Sequence, residues 1–397
     1  MSDNRTRLIL LTAIIISISF PMTICKAQNL NIQPKISAAW QVDSNYYHAQ
    51  KSEREREVFT YKLRPGIRVD FKTAKSTLML DYTLDAVYYS DRDSVLPSEQ
   101  PADEDDYIGQ TGTLEARYQA FDRLLVGLNE SLYVTRDPGE SDALSNSIDR
   151  EKYYINRITP FVVYDFGPKF TVRLRYRNTK IDYDPSSSED SIENRGLFNL
   201  AYNFTRRSSM DFEFQHWKKE YDKGTSDYSA NQGKLIFRKE FRIFRISAGA
   251  GYQNRSFDDS SLDDMDVFTY NLNIDGEGML ANRRSYIALN VEQNFNDQST
   301  SDNYYTATRF ILSGGHEFSS KLSGNAQASY LIADYELNTR KDDVYEFSGS
   351  ISYKFARWLT FSVTGGIEKR DSNLDGLDYE NTYFIANLGF AYDLGRK

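Results

Sequence analysis

Three arginines stand at alternate positions in TVRLRYRNT, residues 171–179: Arg173, Arg175 and Arg177, separated by Leu174 and Tyr176. Such a row could contact a polar or anionic solute, or brace a wet wall against neighbouring acids. A second group lies in VFTYKLRPGIRVDF (58–71) and STLMLDYTLDAVYY (76–89), where Lys62, Arg64 and Arg68 stand against Asp81 and Asp85. Arg157 adds to the basic set, and Asp211 and Glu213 follow it. These eleven residues are candidate wall residues of a water-filled passage, because lumen side chains set what a pore admits. The competing reading is that the charged ladders only brace and hydrate the wall.

Other chemistry is poorly supplied. The sequence has no CxxC, HExxH, phosphate-binding glycine loop or catalytic triad motif. His48, His216 and His316 fall on separate segments, and no spacing joins them to a nucleophile, so they read as isolated histidines and the chain as no enzyme. Acidic runs such as Asp103-Glu104-Asp105-Asp106 and Asp263-Asp264 could meet divalent cations or lipopolysaccharide phosphates, but read first as solvated loop acids. No cofactor and no metal is expected.

The elements that would position these residues are strands. Side chains alternate faces along a strand, so Arg173, Arg175 and Arg177 share one face while Val172, Leu174 and Tyr176 share the other. In the second group Phe59, Tyr61, Leu63, Pro65, Ile67, Val69 and Phe71 lie opposite Lys62, Arg64, Arg68 and Asp70. A two-residue turn at Ala74-Lys75 would pair Val69 with Leu80, Ile67 with Tyr82 and Tyr61 with Tyr88, and would set Arg68 against Asp81 and Arg64 against Asp85. One register therefore satisfies both faces, and a slip of one residue would mix them.

Beyond residue 30 the chain repeats this design in about eighteen segments. Short turns near Ala74-Lys75, Asp122-Arg123, Gly167-Pro168, Arg206-Arg207, Arg242, Asn282-Arg283, Ser319-Ser320 and Ala356-Arg357 alternate with longer acidic loops such as 94–106, 184–190, 257–266 and 370–376. An even-numbered antiparallel meander with two unlike rims is expected. A half-buried soluble sandwich could contain such hairpins, but three features favour lipid.

The wet faces are densely charged. Aromatics gather beside the short turns, where Phe71, Phe121, Phe166, Phe170, Phe204, Phe355, Trp358, Phe390 and Tyr392, with Phe241 and Phe318, would form a membrane girdle. Segment length suits a tilted crossing, which needs about 9–11 residues in hydrocarbon. Lipid offers no hydrogen bonds, so a spanning sheet has to close on itself. The fold class expected is all-β: a single closed, up-and-down antiparallel transmembrane β-barrel with short periplasmic turns and longer extracellular loops.

Composition and the two ends agree. The chain of 397 residues holds 29 Tyr and 24 Phe but 9 Pro and 1 Cys, and its mean hydropathy of −0.61 excludes a polytopic helical membrane protein. Arg5 and Arg7 precede an apolar run from Leu8 to Phe20, then Cys25-Lys26-Ala27. Residues 1–27 read as a secretory signal peptide cut after Ala27, leaving 28–397 as the barrel domain in the outer membrane. The net charge of −9 becomes −11 once Asp3 is lost with Arg5, Arg7 and Lys26, an acidic chain ill suited to nucleic acid.

The final segment places Phe384, Ala386, Leu388, Phe390, Tyr392 and Leu394 on one face. Its run Asn387–Leu394 resembles the β-signal read by the barrel assembly machinery, although Gly395-Arg396-Lys397 follow where a terminal aromatic is commonest. With no room for an N-terminal plug and no loop much beyond about 15 residues, the lumen is expected to be fairly open, or closed by a separate partner.

The stretch LRPGIRVDF (63–71) followed by LDYTLDAVYYS (80–90), with PKISAAWQVDSNYY (34–47) before it, resembles the β-barrel porins encoded with exopolysaccharide synthesis and export systems, including outer-membrane proteins associated with exosortase-type sorting. That resemblance implies an outer-membrane pore that lets polysaccharide out, working with a periplasmic polysaccharide export protein. It carries no catalytic residues, and Pro65 and Gly66 match it as structural positions. General or oligosaccharide uptake, and a non-conducting structural or adhesive surface barrel, are the alternatives.

Overall fold

The computed structural model describes residues 29–50, 54–136, 151–184, 189–277, 284–297, 304–336 and 339–394. The leader read at 1–27, the turn near Asn282-Arg283 and the terminal Gly395-Arg396-Lys397 lie outside the described residues. Among those described, eighteen strands form one sheet. The first six are β1 (Asn29–Asp43), β2 (Val58–Lys72), β3 (Ser76–Asp91), β4 (Tyr107–Phe121), β5 (Leu124–Thr135) and β6 (Lys152–Asp165). Then follow β7 (Phe170–Asp184), β8 (Ser191–Thr205), β9 (Ser208–Tyr221), β10 (Tyr228–Glu240), β11 (Phe244–Phe257) and β12 (Met265–Glu277). The ring is completed by β13 (Ser285–Asp297), β14 (Tyr304–Glu317), β15 (Leu322–Tyr335), β16 (Lys341–Ala356), β17 (Leu359–Ser372) and β18 (Tyr379–Ala391).

Each strand pairs antiparallel with its sequence neighbour, and β1 also pairs with β18 from Lys35↔Ala391 to Asp43↔Tyr383, so the sheet closes without an edge. The first strand ends at Asp43. Its exit is set by Asn45, whose amide donates to the Ala49 and Glu380 carbonyls (2.7 and 3.1 Å) and turns the chain inward. The β2–β3 register is the one the two faces demand, with Val69↔Leu80, Ile67↔Tyr82, Arg68↔Asp81 and Tyr61↔Tyr88.

The apolar face of every hairpin points outward. Leu63, Ile67, Leu174, Tyr176, Phe212, Phe268, Leu312, Phe347, Ile351 and Leu388 are all exposed there, which in water would be untenable and in hydrocarbon is the low-energy state. On β9–β12 this belt gives way towards the long loops to a polar row, His216 hydrogen bonded to Asn231 (2.9 Å) and Asn254 to Asp266 (2.9 Å). No helix among the described residues is long and apolar enough to cross a membrane.

The buried side chains gather inside the barrel at the long-loop end. Tyr46 of the turn after β1 and Ala102 of a single 3-10 turn (Ala102–Asp105) pack on the inward Val58, Val87 and Tyr89 of β2 and β3. Of the run Asp103-Glu104-Asp105-Asp106, only Asp105 is buried and is no solvated loop acid; the other three are exposed. Asp105 accepts from Arg136 (2.9 Å) and Asp106 from the backbone N–H of Tyr89 (2.7 Å), pinning this segment in place. On the far side Phe295 of β13 and Tyr304 of β14 pack inward against Trp217, Tyr228 and Ala230.

Candidate functional site

Strand parity directs Lys62, Arg64 and Arg68 of β2 and Asp81 and Asp85 of β3 into the barrel. Arg64 Nε meets Asp85 Oδ1 at 2.9 Å, as the hairpin register requires. Arg68 and Asp81 are directly opposite, yet they do not bond to each other. Arg68 forks onto Asp70, two residues along its own strand (2.9 and 3.1 Å), while Asp81 is taken by Lys35 of β1. Lys35 reaches across β2 at Gly66. A Cβ there would lie 2.8 Å from Lys35 Cε and 2.6 Å from the Tyr82 carbonyl, so only glycine leaves the path clear. Lys62 extends towards β1 and donates to Gln41 (3.3 Å).

Arg157 of β6 and Arg173, Arg175 and Arg177 of β7 share the inner face, and β8 and β9 supply their acids. Glu193 accepts from Arg177 (2.8 Å) and from Arg195 through two nitrogens (2.9 and 3.0 Å). Arg195 continues to Gln215 (3.2 Å), Gln215 to Glu213 (2.8 Å), and Arg175 stands 3.9 Å from Glu213. The Arg195 guanidinium also lies over the Trp217 ring, 4.1 Å from its centroid. Asp211, almost wholly buried, bonds to Arg238 of β10 and accepts from Asn199 (3.4 Å).

Glu193, Arg195, Arg238 and Lys35 are wall residues that the sequence reading missed. Glu193 and Arg195 sit in SIENRGLFNL, where inward Leu197 breaks the polar alternation. Arg238 hides in the charged run Arg238-Lys239-Glu240, where adjacent charges conceal the face, and Lys35 stands beside Pro34, in a segment read for its family likeness. Strict period-two counting from Arg177 through its ladder partner Arg195 could have found the first two.

A different wall stands across the ring. With eighteen strands, β17 lies nine places from β8. Glu346 of β16 and Glu368 of β17 are direct cross-strand partners, a like-charged pairing that costs stability unless donors surround it. Tyrosine and serine hydroxyls do so: Tyr383 donates to Glu346 (3.2 Å), Ser329 to Glu346 (3.3 Å), and Tyr379 to Glu368. Arg195 and Glu346 are each ten residues from the short-turn end of their strands, Thr205 and Ala356, so the two walls face one another at similar depth. At the short-turn mouth the interior opens into a cavity of about 1100 Å³ lined by Arg245, Asp275, Arg284, Asn325, Ser350 and Ser352.

The girdle residues Phe121, Phe166, Phe170, Phe204, Phe355, Trp358 and Tyr392 are exposed beside the short turns, as are Phe241 and Phe318. Phe71 and Phe390 are half-buried on the same outer face, Phe390 against Trp358 (5.4 Å between centroids). Higher on the belt Phe310, Tyr330 and Tyr345 stack across three strands (6.0 and 4.8 Å).

One histidine does meet a hydroxyl: His316 Nδ1 lies 2.6 Å from Ser285 Oγ. By parity the pair shares the outer face with Leu289 and Leu312. The His316 ring packs edge-on against Phe318 (4.8 Å) where an activated serine would need a carboxylate behind its base. His48 stacks on Tyr379 (4.0 Å).

Residues 242–392, spanning β11–β18, match the protein-family model described as "Putative beta-barrel porin 2". Three Acinetobacter baumannii crystal structures are similar along the ring. OccAB2 and OccAB3 are each 9% identical with a TM-score of 0.50; 92% of this chain aligns with 98% and 100% of theirs. OccAB4 is 12% identical, with a TM-score of 0.49, 92% of this chain and 99% of its own being covered. At such identity the likeness is one of fold. No curated protein matches the chain.

Proposed function

We propose that this outer-membrane β-barrel, a porin in fold, is an aqueous channel for a long polar solute, and that the solute is an exopolysaccharide leaving the cell. The observation that carries this reading is the inner wall: arginines and carboxylates at successive inward positions of β7–β9 face carboxylates and hydroxyls on β16–β18. A wall of this kind offers hydrogen bonds and charge of both signs along a path, which suits a hydrated polymer better than an apolar ligand. Lys62, Arg64, Arg68, Asp81, Asp85, Arg157, Arg173, Arg175, Arg177, Asp211 and Glu213 are the candidate contacts, joined by Lys35, Glu193, Arg195, Arg238, Glu346 and Glu368. The likeness of residues 34–90 to porins encoded with exopolysaccharide systems supports the direction of transport. A periplasmic polysaccharide export protein would deliver the polymer to the cavity at the short-turn mouth, and the barrel assembly machinery would insert the chain through β18.

Deleting the gene and measuring surface polysaccharide tests the solute, with loss of surface polymer and intact barrel expression on complementation as the expected result. Conductance in planar bilayers tests the channel. A second reading, a non-conducting surface barrel, is favoured by the packed clusters at the long-loop end, and silence of the folded protein in bilayers would select it.

A further inference from the structure

The inner wall has a third kind of surface beside its two charged ones. On β15 and β16 the inward positions Ser323, Asn325, Gln327, Ser348, Ser350 and Ser352 carry no charge, and the inward face of β17 stays uncharged from Thr360 to Gly366. Asn325 pairs across the ladder with Ser350 and Gln327 with Ser348, and Ser350 donates to Asn325. Both amide side chains are exposed to the lumen. This strip starts in the 1100 Å³ cavity at the short-turn mouth, which Asn325, Ser350 and Ser352 line, and ends below Glu346 and Glu368.

Two tyrosines bound the strip, and glycines place them. Tyr286 of β13 stands directly across from Gly315 of β14, and a Cβ on that glycine would lie 3.0 Å from Tyr286 Cζ. Tyr383 of β18 is likewise across from Gly366 of β17, where a Cβ would lie 2.8 Å from Tyr383 Cε1. Each ring therefore lies over a glycine, along the wall and not out into the lumen, with its other side left to whatever passes. Tyr286 is 45% exposed and lines the short-turn cavity, while Tyr383 sits higher with its hydroxyl on Glu346 (3.2 Å).

We propose that this uncharged strip is the binding track of the channel, with Tyr286 and Tyr383 as stacking platforms at its two ends, and that the solute it takes is an uncharged pyranose polymer. The assignment rests on the channel reading and names the chemical class of its solute. A pyranose ring offers hydroxyls that both donate and accept, as serine hydroxyls and the amides of Asn325 and Gln327 do, and a C–H face that packs on an aromatic ring. Short side chains leave room for the sugar, and the water on them is exchanged for sugar hydroxyls at little cost. The arginines of β7–β9 are engaged by Glu193 and Glu213, so an anionic polymer would have to compete with the wall's own acids. The carboxylates of Glu346 and Glu368, at the upper end of the strip, oppose an anionic chain again.

The test uses the full barrel, with folding checked by heat-modifiable electrophoretic mobility. Maltohexaose and cellohexaose are the uncharged probes, and the hexamer of galacturonic acid is the anionic one. Each is read as interruptions of single-channel current in planar bilayers and, independently of conduction, by calorimetric titration of the barrel in detergent. At least one uncharged hexamer should bind and block, and the anionic hexamer should bind more weakly. Tyr383→Ala and Tyr286→Ala should each shorten the block about tenfold, the order expected for a lost aromatic contact, with Tyr383→Phe near wild type because the ring remains. Asn325→Ala with Gln327→Ala should also weaken binding, and decides the matter if the tyrosine variants do not fold. Folded variants that bind like wild type overturn the track, as does a conducting barrel that neither uncharged hexamer binds, and both leave the channel standing. Tighter binding of the anionic hexamer overturns the uncharged class. A silent barrel that binds an uncharged hexamer keeps the track and overturns the channel, whereas silence without binding overturns both.

Discussion

The basic wall of β7–β9 and the acidic wall of β16–β18 face each other across the ring and keep their charges by different means. On the basic wall, Glu193 is shared by Arg177 and Arg195, so like charges are held apart by an acid between them. On the acidic wall, Glu346 and Glu368 are neighbours, and their oxygens are held by Tyr383, Ser329 and Tyr379 hydroxyls. Ion pairing makes the first wall dependent on a few charged residues. On the second wall hydroxyl donors take the place that arginines hold on the first. The same fold thus sets a wall rich in arginine against one rich in carboxylates and hydroxyls at one depth.

The largest effect should come from breaking the shared acid. Glu193→Ala leaves Arg177 and Arg195 opposed with their common partner gone, and should lower stability by about 3 kcal/mol, read from the urea midpoint in detergent; an unaltered midpoint would show that water serves those arginines equally well. Next, replacing Arg173, Arg175 and Arg177 together with Ser should leave the barrel folded and shift the permeability ratio about tenfold towards cations, near 1.4 kcal/mol. Reversal potentials in a salt gradient measure it, and unchanged selectivity would make these arginines braces alone.

Glu346→Gln with Glu368→Gln should move selectivity the other way by about threefold, near 0.7 kcal/mol, since the hydroxyl donors remain. If both sets of variants shift selectivity in the same direction, the contrast between the walls is wrong. Smallest of all, Lys35→Gln should cost about 1 kcal/mol or less. Arg68 already faces Asp81 in register and can turn to it, so a larger loss on thermal unfolding would show that the Lys35 bridge has no substitute.

The hairpin of β2 and β3 shows how far the chain alone could be read. Its turn, register and two faces all follow from period-two alternation between Phe59 and Tyr88, because those pairings are local and each reinforces the others. The ion pairs followed less well. Arg64–Asp85 forms as opposite residues should, but Asp81 is claimed by Lys35 from a strand on the other side of Gly66, and Arg68 turns to Asp70. Long side chains lean along and across strands, so facing positions list the available partners without choosing among them. The inner-wall set from Arg157 to Glu213 was legible where polar and apolar residues alternate strictly; Glu193, Arg195 and Arg238 were not, where a leucine or adjacent charges interrupt the pattern. The Ser285–His316 contact joins neighbours that no linear spacing could connect.

Face, strand and rim were decided by the sequence itself: the period of two sorts Arg173, Arg175 and Arg177 from Val172, Leu174 and Tyr176, and lipid outside makes that sorting a closed ring. What lies across the ring was decided only by the tertiary structure. Arg195 facing the side of Glu346, Phe295 and Tyr304 packed inward against Trp217, and β1 closing on β18 all depend on strands far apart in the chain. Alternation assigns a side chain to a face of its own strand, and carries no information about which distant strand that face will meet.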